Sequence, residues 1–155
     1  MSATIHVGGS IEGASVAILA GRIARALDDE TGWVETVRAV TAELRTAAAE
    51  KQPATFESAE ADFGGLEQDL AELGVPYRCI SGSGPARVVA VSGSTRLGFE
   101  LSRDGEPVAP LSAIASAVAE QIRLLIDEMR TAMQMPPAFA IARRRARADQ
   151  PRNDS

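Results

Sequence analysis

Residues 62–80, DFGGLEQDLAELGVPYRCI, decide how this chain is read. Asp62 suits the N-cap of a helix, because its carboxylate can accept from a free amide of the first turn. Leu66, Leu70 and Leu73 then recur on one helical face, with Glu67, Asp69 and Glu72 turned away. Gly74 can take the left-handed conformation that ends a helix. Val75 and Pro76 open an extended run from Tyr77 to Ile80. The spacing predicts an amphipathic helix over 62–74 that feeds directly into a strand.

Working outward from this unit, the N-terminal side begins with ATIHV at 3–7, a β-branched, alternating strand pattern. Gly8-Gly9-Ser10 breaks it. Val16, Leu19, Ile23 and Leu27 share one face of a helix over 12–27. Asp28, Asp29 and Glu30 fit better ahead of the next helix than at the negative end of this one, with Asp29 or Thr31 as its cap. Trp33, Val37, Val40 and Leu44 mark that second helix, which Pro53 closes. Residues 55–61 are expected to form a strand.

On the C-terminal side, 81–85 form a flexible link, 87–91 (RVVAV) a strand, and 92–94 a turn. Leu97, Phe99 and Leu101 alternate with Arg96, Gly98 and Glu100, the pattern of a strand with one dry face. Residues 103–106 have the chemistry of a tight turn. A single long helix is expected over 111–134. Pro136-Pro137 ends it, and AFAIA follows at 138–142.

The resulting β-α-α-β-α-β-β-β-α order argues for an α+β fold, a small, mainly antiparallel sheet packed against about four helices. One domain of residues 1–137 is expected, with 138–155 as a basic, disordered tail.

Composition narrows the chemistry. Of 155 residues, 45% are hydrophobic but only 4% aromatic, so the core is aliphatic and base-stacking platforms are scarce. Lys51 is the only lysine, which removes most Schiff-base and P-loop chemistry. The net charge of −5 divides into +3 over residues 143–155 and −8 over the remainder. Such a body should repel nucleic-acid phosphates. Weak, salt-sensitive nucleic-acid binding is left to Arg143, Arg144, Arg145 and Arg147. Cys79 is the only cysteine, which suits a reducing compartment. No signal-peptide pattern and no apolar run of membrane-spanning length is seen, so a cytoplasmic protein without a membrane partner is expected.

Each candidate motif has a plainer reading beside it. Residues 8–15 have P-loop spacing, with Ala14 where the lysine belongs. They could form an anion site through backbone amides, or simply a glycine turn. His6 is the only histidine, and Cys79 is the only other candidate ligand beside it, so no metal or cofactor is expected. Asp127-Glu128 are neighbours on one helix and diverge.

The central stretch TFESAEADFGGLEQDLAELGVPYRCISGSG resembles a family of small proteobacterial proteins of no known activity, often carried on plasmids and phages. Shared features are a strand, the Phe63-Gly64 step, a short acidic helix and the exit through Gly74, Val75, Pro76 and Tyr77. A later strand and the turn at 104–108 leading into the last helix complete the likeness, over roughly residues 54–115. The resemblance implies an accessory protein of a mobile element that works by contact with another macromolecule. It implies no catalytic residues.

The reading is therefore a non-enzymatic, protein-binding accessory factor. Met129 and Met133 are adaptable contact residues on a wide apolar face, which suggests a homodimer through helix 111–134. The first alternative is an inhibitor of a host nucleic-acid enzyme, of anti-CRISPR or anti-restriction type. It would present Glu67, Asp69 and Glu72, together with Glu35, Glu43 and Glu50, as a mimic of a phosphate backbone. The second is a nucleotide- or phosphate-binding protein using residues 8–15.

Overall fold

In the computed structural model, residues 2–27, 32–60, 62–82 and 85–143 are described. Strand β1 (Ala3–Val7) forms at the expected place, with Ala3, Ile5 and Val7 buried and the intervening residues half-buried. The chain then enters β2 (Gly9–Glu12), a 3-10 turn (Gly13–Ser15) and helix α1 (Val16–Ala26). Helix α2 (Trp33–Glu50) ends on Lys51, whose φ of 57° is left-handed. The amide of Gln52 returns to the Ala47 carbonyl and closes the end. The caps expected at Asp29 and Thr31 fall outside the described residues.

Strand β3 (Ala54–Ser58) follows, then α3 (Leu66–Glu72), which is shorter than predicted. Asp62 does not cap it. Its carboxylate accepts instead from the Gly64 amide at 2.9 Å, and Gly64 turns with φ +52°. Gly-Gly at 64–65 holds the chain in this Asx turn, and the helix starts only at Leu66. The predicted end is observed: Gly74 has φ +67° and the Val75 amide reaches the Leu70 carbonyl.

Strands β4 (Tyr77–Ser81), β5 (Arg87–Ser92), β6 (Thr95–Leu101) and the short β7 (Pro107–Val108) complete the main sheet. Its order is β3-β1-β4-β5-β6-β7, with every neighbouring pair antiparallel. The fold is thus α+β, with a mainly antiparallel six-stranded sheet. No helix among the described residues is long and apolar enough to cross a membrane.

The predicted long helix is two. Helix α4 (Leu111–Ala115) stops where the Ser116 hydroxyl bonds the Ser112 carbonyl, and α5 (Ala119–Met133) starts afresh. The Gln121 side chain fixes the new start by accepting from the Val118 amide at 3.1 Å.

The boundary expected after Pro137 is also corrected. Strand β8 (Phe139–Ala142) lies parallel to β2 in a second, two-stranded sheet. Phe139 is buried, and its amide donates to the Gln52 carbonyl at 3.1 Å. Phe139 and Ile141 alternate with alanines, a strand pattern that two prolines obscure. Residues 144–155 of the expected tail lie outside the described residues.

Period-2 alternation gives the main sheet two different faces. Ile5, Phe56, Cys79 and Val89 share one face under α1, α2 and α3, and with Leu19, Ile23, Leu44 and Leu70 they form the main core. On the other face, Val88, Leu97, Phe99 and Leu101 form a smaller cluster with Ala132 and Met133 of α5.

Candidate interaction surfaces

The glycine run at 8–15 is built into the fold. A Cβ on Gly8 would overlap the Pro137 carbonyl oxygen, and one on Gly9 would lie 2.6 Å from the Pro76 ring. The Gly8 amide donates to the Pro76 carbonyl at 2.9 Å and the Gly9 amide to the Pro137 carbonyl at 3.3 Å. Residues 9–12 then pair with β8. The Gly8 and Gly9 amides are spent in this way, and these two glycines are explained by close backbone approach.

His6 and Cys79 stand on opposite faces of the sheet. The His6 Nδ1 lies 3.0 Å from the Thr55 hydroxyl. Burial first, and then the nearby Arg78 charge, hold its pKa below the usual histidine value. Cys79 is buried, and its thiol pKa is pushed up to about 12 by burial and by the Glu67 and Asp62 charges. A thiol so placed is a core residue and no nucleophile at neutral pH. Among the described residues, no group of three or more His, Cys, Asp or Glu side chains is placed to hold a metal ion.

The acidic residues of α3 are largely occupied. Asp69 pairs with Arg22 of α1 at 2.5 Å. Glu67 accepts from the Tyr77 hydroxyl at 3.2 Å and pairs with Arg96 at 3.5 Å. Glu72 takes a hydrogen bond from Gln68, one turn back. Two of the three carboxylates therefore tie α3 to α1 and to the sheet.

Helix α5 is lightly packed. Ala132 is its only buried residue, Met129 and Met133 are half-buried, and α4 buries nothing. Met133 belongs to the cluster under α5, so it supports the helix on the sheet. The C-terminal end is pinned by Arg78, whose guanidinium donates to the Met133 carbonyl at 2.5 Å. A cation at this position complements the helix dipole. Farther along, Leu111, Val118 and Leu124 are 79%, 65% and 60% exposed, with Ile114 and Ile126 each at 42%. The strongest apolar exposure therefore lies on aliphatic residues of α4, of α5 and of the link between them. Arg143, just past β8, is exposed; Arg144, Arg145 and Arg147 lie outside the described residues.

A second feature has no counterpart in the sequence reading. A groove of about 790 Å³ runs between α2 and β3. Helical spacing signals which side of α2 faces it, but not that the strand directly after α2 turns back along that side.

Comparison with protein-family models, with curated proteins and with solved structures finds no match. The mobile-element reading thus rests on the sequence resemblance alone.

Proposed function

We propose that this is a non-enzymatic, protein-binding factor that self-associates through α4 and α5. The observation that carries the reading is the exposure of Leu111, Val118 and Leu124 on helices that bury almost nothing of their own. Isolated helices of this length are marginal in water, and most helical stability comes from packing an apolar face. A partner surface over α4 and α5 would supply that packing.

Charge supports a second copy as the partner. Glu120, Arg123, Asp127 and Arg130 are all exposed and, at spacings of three and four residues, form one outward stripe on α5. In an antiparallel two-fold pairing centred at the height of Leu125, Glu120 meets Arg130 of the partner copy. Arg123 meets Asp127 in the same way, and Leu124 meets Ile126. Exposed ion pairs contribute little energy, so the charges set register while the flanking aliphatic residues supply affinity. The Arg130–Asp127 contact at 3.8 Å within one helix is open to solvent and easily exchanged.

Light scattering across a concentration series tests this. A dimer is expected for the native chain, a monomer for Arg123→Asp and for Asp127→Arg, and a dimer again when both substitutions are combined. A native chain that stays monomeric at high micromolar concentration would end the reading.

A further inference from the structure

We infer that the groove between α2 and β3 is a docking site for an extended, arginine-bearing segment of a partner protein, which adds as a strand to the edge of the main sheet. Strand β3 is the first in the order of that sheet and pairs with β1 on one side only. Residues 55–60 line the groove, four of them (55–58) in β3 itself and two (59–60) in the bend that follows. Side chains along a strand point alternately to opposite faces, so what the four consecutive strand residues share is the strand's edge. The groove therefore runs along main-chain amides and carbonyls that have no strand opposite them among the described residues. Such a row is a template for another extended chain.

The far wall comes from Glu35, Ala39, Val40 and Glu43, which fall along one side of α2. Val40 and Phe56 are buried and give the groove an apolar floor. Its rim is acidic: Glu35 and Glu43 on α2 and Glu57 and Glu60 beside β3 stand against the single Arg25. None of these four carboxylates has an arginine or lysine partner among the described residues. An excess of negative charge above an open strand edge selects a basic, extended segment. Arginine suits it better than lysine, because its planar fork can meet a carboxylate through two hydrogen bonds. Small aliphatic residues at alternate positions of that segment would sit on Val40 and Phe56.

The experiment uses the full chain and a synthetic peptide in which arginine alternates with valine. Binding is followed by calorimetry, and the site by hydrogen exchange. The expected result is slowed exchange over β3, affinity that falls with added salt, and roughly tenfold or weaker binding by Glu43→Arg and Glu57→Arg. A peptide of the same sequence with alternate backbone nitrogens methylated should fail to bind, because it cannot complete a ladder. The same peptide with glutamate in place of arginine should fail against the unaltered protein, a control that needs no variant to fold. Equal binding by the methylated peptide, protection confined to other elements, or no binding would each overturn the proposal. Binding only by a chain stopped at Ala142 would assign the groove to the protein's own arginine run and overturn a foreign occupant. Arg123→Asp, which breaks the proposed dimer, should leave peptide binding unchanged, so the two readings fail separately.

Discussion

The two faces of the main sheet are covered by helices with similar sequence patterns and opposite degrees of burial. Under α1, α2 and α3, the positions spaced three and four apart reach full burial: Leu19, Ile23, Leu44 and Leu70 expose no surface. On the other face, α5 has the same spacing yet buries only Ala132. Helical periodicity establishes that a face is apolar. It does not establish what covers that face, because coverage depends on where the helix lands. Helices α1–α3 share one layer and also pack on each other. Among the described residues helix α5 packs on β5 and β6, and α4 buries no residue.

This contrast can be broken by substitution, and the largest effect is expected away from the helices. Phe139→Ala should cost about 3–5 kcal/mol in chemical denaturation, because it empties a buried site between β8 and α2. A cost near zero would show that β8 is an appendage. Leu70→Ala, on the densely packed face, should cost about 2–5 kcal/mol by the same measurement. Tyr77→Phe should cost about 0.5–1.5 kcal/mol by removing the hydrogen bond to Glu67. Leu124→Ala, on the lightly packed face, should change monomer stability by less than about 0.5 kcal/mol. If the Leu124 and Leu70 costs were alike, the difference between the faces would have no energetic meaning.

pH gives a gentler test of the dense face. Burial pushes the Tyr77 hydroxyl from 10.0 and the Cys79 thiol from 9.0 up to about 12. Above the unfolded values the native state holds protons that the unfolded chain has lost. Stability should therefore be intact below about pH 9 and fall as pH rises toward 12. Tyr77→Phe should weaken that dependence. His6 contributes with the opposite sense. Its pKa is lowered, so its contribution is intact above the ordinary histidine value and declines in acid.

Much of the architecture was legible because each element carried its own local signal. Alternation located β1, β4, β5 and β6, and periods of three and four located α1, α2 and α3. What stayed hidden depends on pairing between distant residues. Ala-Phe-Ala-Ile-Ala after two prolines could be tail or strand, and only β2, far back in the chain, decides it. Gly8 and Gly9 suggested a phosphate loop, because nothing local shows the approach of Pro76 and Pro137. Glu67 and Asp69 looked free because Arg96 and Arg22, their partners, come from other elements. A sequence shows which residues are charged more readily than which charges are already paired.

The pairing of β2 with β8 also bears on how the molecule is made. It joins segments about 130 residues apart, the slowest kind of contact to close. During synthesis α1, α2 and all six strands of the main sheet emerge while β2 still lacks β8 and the Gln52 carbonyl lacks the Phe139 amide. Strand β2 gains this partner only when Phe139–Ala142 leaves the ribosome, so a chain interrupted anywhere before β8 leaves Gly9–Glu12 without it.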